Sequence, residues 1–165
     1  MIKALNLTKK FSGKLVVENL NLEVGKGEIV GLLGPNGAGK TTTIRMIAGT
    51  LLPSSGQVFI DGQDLADHEE KKSLIGYLPE NNPLYENLTV EEHLRFWTDV
   101  KQLTHSTSSG QVIEGGELIK RVVKNLSLES VFYRPIAELS KGFKQRVGLA
   151  QALLADPPIL LLDEP

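Results

Sequence analysis

The chain has 165 residues, of which 41% are hydrophobic and 23% charged, as in an ordinary soluble globular domain. Its net charge of −2 gives no overall basic field for nucleic acid, and the lack of cysteine excludes disulfides, thiolate metal sites and cysteine nucleophiles. It has neither a signal-peptide core nor an apolar run near the roughly 20 residues that span a bilayer, so a membrane connection is expected only through a partner.

The first half of the chain predicts an antiparallel β edge, then a buried strand, a glycine-rich turn and a helix. Two segments show the alternation of half-exposed strands, whereas residues 28–33 are almost continuously apolar, which is typical of a strand covered on both faces. Gly49 marks the end of the helix. The predicted strands are residues 2–7, 15–24, 28–33, 57–60 and 74–78, and the predicted helix is residues 40–48.

The second half predicts three helices and a final buried strand. Thr89 and Glu92 have the spacing of a capping box that opens a helix running to about residue 103. Residues 104–116 are rich in Ser, Thr and Gly and predict a solvated loop. The remaining predicted elements are an amphipathic helix with its apolar face at residues 118, 119, 122, 123 and 126, a helix over residues 140–155, and a strand over residues 159–162.

A phosphate-binding loop is predicted over residues 34–42. The run fits G-x-x-x-x-G-K-[ST] between a predicted strand and a predicted helix. Its glycines let backbone N–H groups turn toward phosphates, Lys40 neutralises phosphate charge, and Thr41 offers a hydroxyl to Mg²⁺. We expect Lys40 also to assist catalysis. The expected ATP-binding residues here are Gly34, Pro35, Asn36, Gly37, Ala38, Gly39, Lys40, Thr41 and Thr42.

Two acidic residues follow the last predicted strand. In proteins with a phosphate loop, an aspartate at the end of a neighbouring strand holds Mg²⁺, and Asp163 fits that role. Glu164 points to the other side of the strand and is the candidate general base for an attacking water. An apolar run that ends in Asp-Glu is a weak signal alone, but it is strong beside a phosphate loop.

Together with the segment between them, these motifs resemble the nucleotide-binding domain of ABC transporters. Residues 139–146 (Leu-Ser-Lys-Gly-Phe-Lys-Gln-Arg) are similar to the family signature, usually written L-S-G-G-Q. Ser140 can cap the helix that follows, whose positive end then faces an anion. The resemblance implies that Ser140 and Gly142 meet the γ-phosphate held by a second copy, in a head-to-tail homodimer with two ATP sites.

The resemblance assigns two more positions and shows two departures. Phe11 stands where the family stacks an aromatic ring on adenine, although a phenylalanine in such a strand also suits the core. Glu80 stands where most members carry a glutamine that touches Mg²⁺. Lys141 and Phe143 replace the first glycine and the glutamine of the signature. Leu-Pro-Glu-Asn combined with Leu-Ser-Lys-Gly resembles a bacterial exporter branch that includes gliding-motility subunits.

We therefore expect an α/β P-loop NTPase core with an antiparallel β subdomain at residues 1–86 and 156–165, and a helical signature subdomain at residues 87–155. The resemblance implies a transport-coupled Mg-ATPase on the cytoplasmic face of the cell membrane, with a permease contacting residues 80–88. By the same resemblance, we expect the chain neither to bind nucleic acid directly nor to insert into the membrane. The transported substrate and the direction of transport are not encoded in these residues.

Three alternatives remain open at this stage. A non-transport ABC ATPase acting on ribosomes or DNA usually has tandem cassettes or a coiled-coil insertion, and neither is visible here. A small GTPase would need Asn-Lys-x-Asp, which the sequence lacks. The third is ATP binding without turnover, because family members continue past residue 165 to a switch histidine that His68, His93 and His105 do not match.

Overall fold

The computed structural model describes residues 2–101, 105–106, 112–113 and 115–164. The chain forms two compact units, Met1–Ile75 and Gly76–Pro165. The predicted division at residues 86/87 and 155/156 stays a prediction.

The unit Met1–Ile75 contains a four-stranded antiparallel sheet with the order β2-β1-β3-β4. The long first strand pairs with both neighbours, and Leu7 and Ile60 are fully buried. One helix packs in this unit, with Met46 and Ile47 buried. The elements are β1 (Ile2–Phe11), β2 (Lys14–Val24), α1 (Lys40–Ile47), β3 (Ser55–Ile60) and β4 (Gln63–Asp64), followed by a 3₁₀ helix (Glu69–Leu74).

The strand predicted at residues 28–33 is wrong. These residues join none of the sheets in the described part of the chain. Ile29 and Leu33 are fully exposed at 102% and 97%, and Val30 is 47% exposed. An apolar run becomes a strand only where another strand pairs with its backbone, and no strand in the described part of the chain pairs with residues 28–33.

The unit Gly76–Pro165 is mainly helical and also holds β8, which pairs with β5. Its elements are β5 (Ile75–Leu78, whose first residue closes the other unit), α2 (Val90–Val100), β6 (His105–Ser106), β7 (Val112–Ile113), α3 (Gly115–Asn125), α4 (Lys141–Leu153) and β8 (Ile159–Leu162). The buried apolar core consists of Val90, Leu94, Leu118, Ile119, Val122, Val123, Leu128, Val131, Ile136, Leu139, Val147, Ala150 and Leu154.

The capping box that opens α2 is confirmed. The Glu92 N–H donates to Thr89 Oγ1 at 3.2 Å, and the Thr89 N–H donates to Glu92 Oε2 at 2.8 Å. The Thr89 N–H, and the Thr89 hydroxyl that donates to Glu92 Oε2 at 2.9 Å, lower the pKa of the Glu92 carboxyl because they favour its charged form. The helix ends at Val100 rather than near residue 103, which lies outside the described residues.

A fully buried histidine lies on α2. His93 Nε2 is 2.9 Å from Gln151 Oε1, an acceptor, so this nitrogen carries the proton. Within the described residues, His93 Nδ1 has no hydrogen-bond partner. Burial lowers the pKa of His93 because it disfavours the charged ring, and the bond to Gln151 opposes this more weakly.

Two other predictions need correction. The loop predicted at residues 104–116 includes the short antiparallel pair β6–β7, and α3 begins at Gly115; residues 104, 107–111 and 114 lie outside the described residues. The last strand is only partly buried, with Leu160 40% exposed, and among the described strands it pairs with β5. Among the described residues, no helix is both long and apolar enough to cross a membrane.

Candidate functional site

The predicted phosphate loop is an exposed turn that leads directly into α1. Residues 34–38 are exposed, and Gly37 and Gly39 have φ values of +79° and +87°. These left-handed values suit glycine because it has no Cβ to clash with the backbone. The Thr43 N–H donates to Gly39 O at 2.8 Å, and this bond opens the i to i−4 hydrogen-bond ladder of α1.

Lys40, the first residue of α1, folds back onto the loop. Its Nζ donates to Gly34 O at 2.9 Å and to Pro35 O at 3.1 Å. Because carbonyl oxygens carry partial negative charge, they hold the ammonium at the mouth of the loop. Thr41 and Thr42 follow on the same turn and are partly buried.

Gly39 is fixed by close packing as well as by its backbone angle. A Cβ at this position would lie 2.8 Å from Val16 O and 2.9 Å from Val17 Cγ2, both on β2. A Cβ at Gly37 would meet nothing within 4 Å. The turn at Gly39 therefore sits directly against the sheet, and the outer part of the loop stays open to solvent.

These features fit a polyphosphate ligand. A helix N-terminus directs partial positive charge outward, and Lys40 adds a full positive charge within the same turn. Glycines at positive φ let the chain curve around an anion without side chains in the way. The loop can thus hold phosphate groups through its backbone amides and one ammonium.

Phe11, the predicted adenine-stacking residue, is the last residue of β1 and is 45% exposed. Lys9 Nζ lies 5.2 Å from the centroid of its ring and donates to Leu52 O at 2.6 Å. Sequence reasoning missed Lys9. Lys9 and Phe11 are two positions apart on β1, and this spacing, which places both side chains on one face of the strand, could have indicated the contact.

The acidic residues lie in the unit Gly76–Pro165, at the ends of β5 and β8. The Asp163 N–H donates to Leu78 O at 3.0 Å, which joins the carboxyl ends of the two strands. Asp163 is 2% exposed, whereas Glu164, at φ +51°, and Glu80 are exposed. The structure therefore brings the chain around Asp163 beside the end of β5, two residues before Glu80.

The signature segment opens α4 as predicted. Ser140 is the N-cap and its Oγ accepts from the Phe143 N–H at 3.4 Å. Ser140 and Gly142 are exposed, and a Cβ at Gly142 would meet nothing within 4 Å. The Phe143 ring packs against the helical core and carries the Arg146 guanidinium 4.2 Å from its centroid.

The described residues contain no group of three or more His, Cys, Asp or Glu side chains placed to hold a metal ion.

Residues 17–165 match the family model described as ABC transporter. The chain belongs to the ABC transporter family. Over its whole length it is 43% identical to the "Probable multidrug ABC transporter ATP-binding protein YbhF" of Escherichia coli, and it spans 28% of that relative. Family membership contradicts the GTPase alternative.

Solved structures of this family share the fold. The "Structure of ATP binding subunit of ABC transporter" matches with a TM-score of 0.83 and 35% identity, covering all of this chain and 66% of the other. The ATP-binding cassette MJ0796, solved as a dimer in a post-hydrolysis state bound to ADP and Pi, matches with a TM-score of 0.83 and 29% identity, covering 100% and 74%. The predicted α/β P-loop NTPase fold is confirmed.

Proposed function

We propose that this chain is the ATP-binding part of an ABC transporter, binding Mg-ATP at residues 34–42 and hydrolysing it to drive a permease. The observation that carries the proposal is the loop that enters α1, with the Lys40 ammonium held at its mouth by Gly34 O and Pro35 O. Because ATP is a polyanion, a helix N-terminus and an adjacent ammonium recognise its most charged part.

In this proposal each loop residue has a defined task. Lys40 exchanges its carbonyl partners for oxygens of the β- and γ-phosphates. Gly37 and Gly39 let the loop amides curve around the same phosphates, and the Phe11 ring offers a flat surface to the base. Stacking tolerates any purine, so we expect weak selectivity between purine bases.

The acidic residues supply the hydrolytic part. Bound Mg²⁺ neutralises charge that develops on the phosphates. Thr41 offers a hydroxyl to the cation, and Asp163 offers a carboxylate through the cation's water shell. Glu80 has a carboxylate where an amide is usual in the family, and Glu164 accepts a proton from the attacking water.

The proposal extends to assembly. The exposed Ser140 and Gly142 at the start of α4 would complete the ATP site of a second copy, in a head-to-tail homodimer. The similar cassette MJ0796 was solved as a dimer, which supports a dimeric assembly of this chain. Residues 80–88 would contact the permease, which places the chain on the cytoplasmic face of the membrane without insertion.

Binding is tested by calorimetric titration of Mg-ATP into the wild type, Lys40→Ala and Lys10→Ala. Lys10 is an exposed lysine of β1 and controls for the loss of one positive charge. We expect Lys40→Ala to lose detectable binding and Lys10→Ala to retain it. Unchanged affinity in Lys40→Ala would overturn the phosphate assignment.

Turnover is tested separately by phosphate release from Mg-ATP. We expect Glu164→Gln to keep ATP affinity and to lower turnover by at least the 10²-fold typical of a general base. If the wild-type chain binds ATP without releasing phosphate, the hydrolysis proposal fails and the binding proposal stands.

A further inference from the structure

We propose that Lys9 is a positioning residue for the nucleotide base: its ammonium, tied to Leu52 O, holds the Phe11 ring in the orientation that stacks on adenine. This inference rests on the proposed ATP site and adds a residue to it. Lys9, Phe11 and Leu52 all belong to the unit Met1–Ile75.

The end of β1 is fastened to the loop that follows α1. The Ser54 N–H donates to Thr8 O at 2.8 Å, and the Lys10 N–H donates to Ser54 Oγ at 3.0 Å. Lys9 adds a third connection through its side chain, because Nζ donates to Leu52 O at 2.6 Å. The ammonium of Lys9 is therefore attached at a defined place on this surface.

The Phe11 ring is exposed rather than packed in the core, so the Lys9 ammonium can fix its orientation. It is 45% exposed, and it is the last residue of its strand, where the backbone turns toward β2. The Lys9 ammonium lies over the ring, 5.2 Å from its centroid, and attracts the electron-rich face. In this proposal the planar base stacks on the ring face opposite the Lys9 ammonium.

The neighbouring Lys10 provides a matched comparison. It carries the same charge one position along β1, but its side chain is exposed, and of the two lysines only Lys9 lies over an aromatic ring in the described structure. Replacing either lysine by methionine removes one positive charge and keeps a similar stem. The difference between the two variants therefore measures the combined effect of the Lys9 ammonium on the Phe11 ring and on Leu52 O, apart from the loss of one charge.

The test compares two ligands with Mg²⁺ present: ATP, and inorganic tripolyphosphate, which has no base. We expect Lys9→Met to weaken ATP binding about threefold and to leave tripolyphosphate affinity unchanged, because only the base contact is affected. Lys9→Arg keeps a cation and should retain wild-type ATP affinity. Lys10→Met should change neither affinity.

A double-variant cycle isolates the coupling. Phe11→Ala alone should weaken ATP binding roughly tenfold. In the Phe11→Ala background, Lys9→Met should cause no further loss, since the ring that it holds is absent. Thermal unfolding of each variant, measured without ligand, checks that all of them fold.

Four outcomes would overturn the inference. An equal loss of ATP and tripolyphosphate affinity in Lys9→Met would mean that Lys9 acts on the phosphates. A threefold loss that persists in the Phe11→Ala background would mean that it acts without the ring. If wild type binds tripolyphosphate as tightly as ATP, base stacking is absent while the phosphate site stands; if it binds neither, the proposed ATP site itself is wrong.

Discussion

Replacing Gly39 by alanine should destabilise the sheet β1–β4 far more than the same change at Gly37. Both glycines have left-handed backbone angles, φ +87° and +79°, which cost an alanine about 1–2 kcal/mol. Only at Gly39 would the new methyl group collide with β2, 2.8 Å from Val16 O and 2.9 Å from Val17 Cγ2. Relieving such a collision costs about 1–3 kcal/mol more.

We therefore expect Gly39→Ala to lower the free energy of unfolding of this sheet by about 3 kcal/mol and Gly37→Ala by about 1 kcal/mol. The single tryptophan, Trp97, lies on α2 in the other unit, so the sheet itself is followed through its own amides. Hydrogen–deuterium exchange of the β1 and β3 amides measures the opening free energy directly. Equal losses in the two variants would refute the packing argument, because the backbone angle alone would then explain both.

Three further predictions concern the stability of the unit Gly76–Pro165, which is measured by urea unfolding. The fold lowers the pKa of His93 below the ordinary histidine value of about 6.5, so at acidic pH the unfolded chain binds more protons than the folded one. Wild type should therefore lose stability from about pH 7.5 to pH 5, and His93→Gln should lose less. Thr89→Ala removes the α2 cap and should cost about 1 kcal/mol. Phe143→Ala and Arg146→Ala should be coupled by about 0.5–1 kcal/mol in a double-variant cycle.

Each of these predictions has a contradicting result. Identical pH dependence in wild type and His93→Gln would show that the buried ring does not set the slope. A Thr89→Ala variant as stable as wild type would mean that water replaces the cap without loss. Strictly additive effects of Phe143→Ala and Arg146→Ala would mean that their stacked geometry contributes nothing measurable.

Local signals in the sequence predicted local structure well. Thr89 with Glu92, and Ser140 before its helix, mark helix starts because the side chain itself supplies the missing hydrogen bond. Four of the five predicted residues of the α3 apolar face are buried in the helix, since burial follows from helical spacing; the fifth, Leu126, lies one residue past its end and is partly buried. The glycine pattern was a specific signal for a phosphate loop, because few other turns require glycines at these positions.

Features that depend on distant pairing could not be predicted in the same way. An apolar run such as residues 28–33 forms a strand only if another strand pairs with it, and its composition does not tell whether one does. The strand β4 is two polar residues, Gln63 and Asp64, and has no pattern at all. The contact of Lys9 with Leu52 O spans 43 positions, beyond any local signal.

The carbonyl bonds of Lys40 affect how its replacement must be interpreted. The Lys40 ammonium has two carbonyl partners in the structure, so binding a phosphate would be an exchange of partners, and its net gain would be smaller than the attraction of a bare charge. Removing the side chain also takes the donor away from Gly34 O and Pro35 O, which changes the loop itself. A loss of affinity in Lys40→Ala therefore contains a cost of reorganising the loop, and a structure of that variant would separate the two contributions.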